Sequence, residues 1–276
     1  MKGPHLLIFG AIHGNEVCGP RALSKLIAEL DSGVVKLQRG TLTLVPVCNL
    51  KAFDQNERFV EENLNRVFER HSLKESLTYE RGLANLLTPF VEECDVFLDL
   101  HSMQSDGEEF AVLNSNNPRS EALCLALGTK FILSGWNEVF KVHPSHLAQC
   151  TQTFADKINK PNALIECGTH GTEKADQIAY VASLRALSHL GLLESAENLA
   201  NQNSCREIKL RSVFFRESIE DRFEKTWSNF ETVKSGQIIG YRRASATPVH
   251  SSVDGFIVFP SPVSAVGTEW FYLGVE

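Results

Sequence analysis

His13 and Glu16 stand three residues apart, His101 follows one apolar run, and Glu166 follows another. Imidazole and carboxylate groups ligate divalent metals and also carry protons. Two histidines with one carboxylate are a common zinc set in hydrolases, and they leave a fourth position to water. Zinc lowers the pKa of that water, so hydroxide is available near neutral pH. A further carboxylate must take the proton and pass it to the leaving group. Glu166 suits that role if its strand neighbours those that carry the other three. Taken singly, each residue has a plainer explanation. An HxxE pair is common at the exposed start of a helix, and a lone histidine after a strand is usually a hydrogen-bonded structural residue. Glu166 alone could be an acid favoured by a helix N-terminus. Their common placement is what points to a site.

That placement follows from the surrounding elements. Leu6-Leu7-Ile8-Phe9, bounded by Pro4 and Gly10, predicts a buried strand. Leu23, Leu26, Ile27 and Leu30 recur at helical spacing, so a helix is expected over 17–30 with Pro20 in its first turn. His13 and Glu16 therefore lie on a strand-to-helix turn, and α/β sheets bind ligands at the carboxyl ends of strands. Gly14 is expected to supply a tight or positive-φ turn there. A second strand is expected over 41–47. The polar segment 48–71 lacks periodicity and reads as a long functional loop. Helical spacing returns over 75–94, and a buried strand over 95–100 ends on His101-Ser102. Short strands at 110–113 and 131–133 flank a helix over 120–127, and 143–159 is ambiguous. A strand at 163–165 ends on Glu166-Cys167-Gly168-Thr169-His170-Gly171, before a helix over 172–190. Strands alternating with helices make this part α/β. From 205 onward, short alternating segments are separated by turn signals such as Ser235-Gly236 and Asp254-Gly255, which predicts an all-β module. The polar stretch 197–204 is the expected boundary, giving domains of 1–203 and 204–276.

The chain has 276 residues, 43% hydrophobic and 22% charged, which is ample for a sizeable core. A formal net charge of -7 argues against general nucleic-acid affinity. An anionic substrate would have to be drawn in by local arginines. The seven cysteines include no CxxC pair, and their odd number points to free thiols in a reducing compartment. The N-terminal apolar run is short and lacks an A-x-A-like site, so it reads as a core strand rather than a signal peptide. No apolar stretch approaches the ~20 residues of a membrane helix. A cytoplasmic protein away from the membrane is expected.

The middle loop carries Arg58-Phe59-Val60-Glu61-Glu62-Asn63-Leu64-Asn65-Arg66-Val67-Phe68. Arginine offers a planar fork that matches a carboxylate, and near zinc it can stabilise an oxyanion. Composition alone would favour a solvated charged loop. Four motifs now stand in order: His13-Gly14-Asn15-Glu16, Asn63-Leu64-Asn65-Arg66-Val67-Phe68, Asp99-Leu100-His101-Ser102 and Ile165-Glu166-Cys167-Gly168. Together they resemble the succinylglutamate desuccinylase/aspartoacylase family, a branch of the zinc carboxypeptidase superfamily. The resemblance spans most of the first two hundred residues. The tail, with Asp254-Gly255-Phe256-Ile257 and Glu269-Trp270-Phe271-Tyr272-Leu273-Gly274, resembles that family's C-terminal β domain.

The resemblance implies a zinc carboxypeptidase-like mixed sheet flanked by helices, followed by a small all-β C-terminal domain. It implies one zinc ion on His13, Glu16 and His101. Glu166 would be general base and then acid, and Arg58 would polarise the scissile carbonyl. Asn65 and Arg66 would hold the substrate carboxylate. The activity implied is removal of the acyl group from a small N-acyl amino acid, with a homo-oligomer left open. One position departs: the family usually has Asp where this chain has Asn63, so a charge near the arginines is lost. A carboxypeptidase acting on short peptides would use the same residues, although the β module should narrow the cleft. An acyl-carrier role for that module would need a lysine at a hairpin tip, and Ser251-Ser252-Val253-Asp254-Gly255 has none. Cys167 with His170 is a further nucleophile candidate, for which buried packing is the plainer reading. His143, His146, Tyr79, Tyr180, Tyr241 and Tyr272 could each reach a substrate.

Overall fold

In the first strand, β1 (His5–Gly10), every residue from Leu6 to Gly10 is buried. Leu6 and Ile8 join one apolar cluster, while Leu7 and Phe9 join another. A strand covered on both faces is the signature of a parallel sheet between helical layers. The computed structural model describes residues 2–74, 76–140, 149–193, 205–243 and 246–276. Around β1, the chain forms α1 (Cys18–Asp31), β2 (Thr41–Val45), α2 (Leu50–Gln55), α3 (Tyr79–Glu93) and β3 (Val96–Met103). It continues through β4 (Phe110–Val112), α4 (Pro118–Leu127), β5 (Phe131–Ser134), α5 (Trp136–Phe140), α6 (Thr151–Lys157), β6 (Asn162–Thr169) and α7 (Glu173–His189). The remaining strands are β7 (Arg206–Phe215), β8 (Arg222–Phe223), β9 (Thr232–Val233), β10 (Ile238–Arg242), β11 (Thr247–His250), β12 (Gly255–Val258) and β13 (Glu269–Val275).

One ten-stranded mixed sheet runs in the order β2-β1-β3-β6-β4-β5-β7-β13-β12-β9. β1 lies parallel between β2 and β3, and β3 is parallel to β6. The carboxyl ends of β1, β3 and β6 therefore lie side by side. Helices α1, α4 and α7 cover one face, packing Leu23, Leu123 and Leu187 against Leu98, Leu100 and Ile165. On the other face, α3, α6 and Phe68 cover Leu7, Phe9 and Phe97. Each large apolar side chain so buried contributes about 1.5–3 kcal/mol. β8, β10 and β11 form a separate three-stranded sheet. Among the described residues, no helix is long and apolar enough to cross a membrane.

Most expected elements are present, with three differences. The strands expected to stop before His101 and Glu166 run on through both residues. A polar residue inside a strand reads as a stop, yet here both side chains are buried. The expected loop over 48–71 contains α2 and a 3-10 turn at Leu64–Arg66, each too short to show periodicity. Asn49 caps α2 through its side chain. α5 and α6 were likewise too short to be read, and His143, His146 and the 197–204 boundary lie outside the described residues.

The loop that carries the arginines is held by one buried acid. Glu80, in the first turn of α3, accepts from Val60 N at 2.7 Å and from Glu61 N and Glu62 N at 3.1 Å each. Its Oε1 also accepts from Asn49 Nδ2 at 3.3 Å. A carboxylate presents acceptors only, which suits four converging N–H groups. Glu80→Gln places a donor among those donors and is expected to cost about 2 kcal/mol. Chemical denaturation, with hydrogen exchange at amides 60–62, measures this. An unchanged midpoint and unchanged exchange would show that the clamp does not hold the loop.

Candidate active site

The turn after β1 brings His13 to the end of the sheet. Cys48 N donates to Gly10 O at 2.9 Å and Asn49 N to Ala11 O at 3.0 Å, tying the turn to the entry of α2. The positive φ expected at Gly14 falls on Ala11 instead, at 46°. Gly14 is required by close approach: a Cβ there would lie 2.1 Å from Ala52 C. With α2 seated on Gly14, Glu16 N bonds back to His13 O at 3.2 Å and the Glu16 side chain turns inward.

Glu16 joins the two histidines. Its Oε1 lies 2.8 Å from His13 Nδ1, and its Oε2 lies 2.9 Å from His101 Nδ1. Oε2 also accepts from Ser102 N at 3.0 Å, and Oε1 from Arg58 Nη1 at 3.0 Å. The ligand atoms of His13, Glu16 and His101 all lie within 4.8 Å of one another, and all three residues are buried. Two imidazole nitrogens and one carboxylate, converging in a buried site, fit zinc with a position left for water. With both δ nitrogens facing Glu16, the ε nitrogens face outward. His13 Nε2 is 3.1 Å from Asn63 Oδ1, and His101 Nε2 is 3.0 Å from Asp99 Oδ2. The second contact is a charge approach rather than a hydrogen bond, because its geometry is off the donor direction. Such outer partners fix the tautomer and orientation of ligating histidines.

Burial and neighbouring charges set the ionisation of this cluster. Burial pushes the His13 imidazole down to about 3, so it is neutral as a ligand must be. Burial also disfavours charge on His101, but Asp99 and Glu16 outweigh it and hold that ring well above its ordinary value. Burial would raise Glu16; the two histidines overcome it and keep the carboxyl well below its usual range.

Glu166 is the register partner of His101 across β3 and β6. Its Oε2 is buried with no hydrogen-bond partner among the described residues. Burial pushes its carboxyl well above the usual range, and the Glu16 charge adds to this. His13, His101, Glu166, Arg58, Asn65 and Arg66 all line one cavity of about 240 Å³, with Glu16 behind them. Arg66 donates through Nη1 to Asn65 O at 3.0 Å and through Nη2 to Glu269 Oε1 at 3.4 Å. Asn65 Oδ1 accepts from Thr151 N at 3.0 Å, and Thr151 Oγ1 donates to Asp99 Oδ2 at 2.6 Å.

Several features of the site depart from the sequence reading. Asn63 was expected to affect the arginines, but its side-chain oxygen faces His13 and Asn65 N instead. Asp99 was quoted only as part of a motif; its spacing of two before His101 puts both on one strand face. Thr151 and Glu269 gave no local signal. Cys167 packs with Cys18 in the apolar cluster on the opposite face, and burial raises its thiol well above the ordinary value. His170 Nδ1 lies 2.8 Å from Ser102 Oγ, so Cys167 and His170 are not a nucleophile–base pair. Tyr272 lines the cavity, whereas Tyr79 accepts from Lys51 N and Tyr180 donates to Glu29. Tyr241 lies under the Arg222 guanidinium.

Comparison with known proteins agrees with this geometry. Residues 2–189 match the model of the succinylglutamate desuccinylase/aspartoacylase catalytic domain. The chain is 33% identical over 125 residues to the succinylglutamate desuccinylase of Photorhabdus laumondii, a match covering 41% of this chain and 38% of that protein. It is 26% identical over 278 residues to the succinylglutamate desuccinylase of Shewanella denitrificans, covering 93% of this chain and 77% of that one. Its fold is similar to the crystal structure of a succinylglutamate desuccinylase/aspartoacylase from Rhodobacter sphaeroides, with a TM-score of 0.80 at 19% identity over 100% of this chain and 85% of that chain. With its ordered motifs brought to one cavity and its first 189 residues matched, the chain belongs to the succinylglutamate desuccinylase/aspartoacylase family.

Proposed function

We propose that the protein is a zinc-dependent amidohydrolase that removes the acyl group from an N-acylated amino acid. The observation that carries this reading is Glu166: a buried carboxylate with an unpartnered oxygen, in register with His101 of a His-Glu-His group. Arg58, Asn65 and Arg66 open into the same cavity. His13, Glu16 and His101 would hold one zinc ion, which when bound supplies Lewis acidity toward water and the acyl carbonyl. In this reading residues 1–203 form the catalytic unit, and 204–276 add an outer wall through Phe259, Glu269 and Tyr272.

The chain's own groups then divide the work. Arg66 and Asn65 receive the substrate carboxylate, which fixes the amide in the cavity. Arg58 donates to the acyl oxygen as negative charge develops there. Glu166 accepts the proton of the attacking water at its free oxygen. The same carboxyl returns that proton to the leaving nitrogen as the C–N bond breaks, releasing a carboxylate and an amine. Burial favours its protonated form, which suits a base that must afterwards act as an acid. Asp99 and Asn63 orient the rings of His101 and His13 so that both δ nitrogens face Glu16.

Glu166→Gln is expected to keep bound zinc and to lose about 10³-fold in kcat. His101→Ala is expected to lose the zinc itself. Elemental analysis paired with hydrolysis of N-acyl amino acids reads both, and full turnover by the Glu166 variant would sink its assigned role. Removing metal with a chelator is expected to abolish hydrolysis and zinc addition to restore it; full activity in metal-free protein would contradict the metal requirement. Asn63→Leu is expected to speed zinc release to a chromogenic chelator about 10-fold, and Asn63→Asp to slow it. Release at the parent rate in both variants would remove Asn63 from the metal's support.

A further inference from the structure

The cavity that holds the catalytic groups has an unusual balance of charge and ring surface for an enzyme of multiply charged acids. Besides the two histidines, the cations lining it among the described residues are Arg58 and Arg66. Each already faces an acid: Arg58 contacts Glu16 at 3.0 Å, and Arg66 contacts Glu269 at 3.4 Å. Glu269 also belongs to the lining. Among the described residues, Arg66 is thus the cation placed to receive a carboxylate, beside the acid Glu269.

Beyond Arg66 the lining includes four aromatic rings, with Asn114, Asn137 and Ser261 among its polar members. Trp136 stacks on Phe140 with ring centroids 6.0 Å apart and an interplanar angle of 8°. Trp136 also meets Tyr272 edge-on at 5.2 Å and Phe259 at 6.1 Å. Phe259 in turn lies 6.2 Å from Tyr272, so the four rings form a box. Val112 and Leu164, paired across β4 and β6, extend the apolar lining toward Glu166. The box starts at Tyr272, on the same strand as Glu269, which places it on the carboxylate side of the cavity. A second carboxylate placed there would lose its water and meet no further cation among the described residues, which is unfavourable.

We infer that the substrate carries an apolar amino-acid side chain, which the Trp136, Phe140, Phe259 and Tyr272 box receives. This rests on the deacylase reading above and narrows its substrate class. A cavity of about 240 Å³ is at the small end for ligand sites, in keeping with a single acylated amino acid.

The test is a panel with the full-length, zinc-loaded protein: N-acetyl-L-phenylalanine, N-acetyl-L-leucine, N-acetyl-L-alanine, N-acetyl-L-aspartate and N-succinyl-L-glutamate. Values of kcat/KM about 100-fold higher for the phenylalanine and leucine substrates than for the two polycarboxylates are expected, because an unpaired buried charge is discriminated strongly. Equal or faster hydrolysis of either polycarboxylate overturns the inference and leaves the deacylase reading standing. No hydrolysis of any member overturns both. Phe259→Ala is expected to lower kcat/KM for N-acetyl-L-phenylalanine about 10-fold more than for N-acetyl-L-alanine. Equal losses on the two substrates would remove the box as the side-chain pocket.

Discussion

Glu16 is a buried carboxylate with both oxygens engaged, and the site is built outward from it. A charge at that depth is tolerable only when it is paired and hydrogen-bonded. Its partners come from distant parts of the chain: His13 from the turn after β1, His101 and Ser102 from β3, and Arg58 from the loop after α2. Satisfying one acid therefore fixes three segments against each other. The sheet makes this possible because β1 and β3 are hydrogen-bonded neighbours with Gly10 opposite Leu100.

A second line of contacts reaches from the metal group to the substrate loop. His101 faces Asp99, Asp99 accepts from Thr151, and Thr151 N donates to Asn65. Asn65 in turn presents its carbonyl to Arg66. Strand β3, helix α6 and the 3-10 turn are joined by these polar groups. The two histidines are supported unequally. His101 has an acid behind it and His13 has an amide, so the two rings differ in basicity although both face the same carboxylate.

Much of this was legible in the chain itself, for physical reasons. Apolar runs located β1, β3 and β6, the first of them bounded by Pro4 and Gly10, because strands buried on both faces need continuous hydrophobicity. His13, Glu16, His101 and Glu166 converge because the ends of those strands converge, while Arg58, Asn65 and Arg66 are brought in by the loop between α2 and α3. Less legible was whatever depends on contacts between distant segments. Nothing near Glu80 signals that it will gather the amides of residues 60–62, and Thr151 and Glu269 reach the site only through folding. Gly14 showed the same limit. A glycine in a turn suggests a positive φ, but its actual constraint is the backbone of α2 pressed against it. The charge missing at Asn63 was visible in the sequence, while the group that feels its absence, His13, was not.

The pairing of β5 with β7 has a mechanical consequence. Phe131 to Ser134 are hydrogen-bonded in parallel register with Arg206 to Lys209, and β7 carries β13 with Glu269 and Tyr272. The wall that carries Glu269 and Tyr272 is thus joined to the sheet of β1, β3 and β6 by strand pairing, with two register shifts where β13 meets β7. A hinge between wall and floor would have to tear that pairing apart. Tyr272 and Glu269 are therefore held at a set distance from the ends of β3 and β6, and the span of the cavity is fixed by the sheet rather than by a joint between two domains.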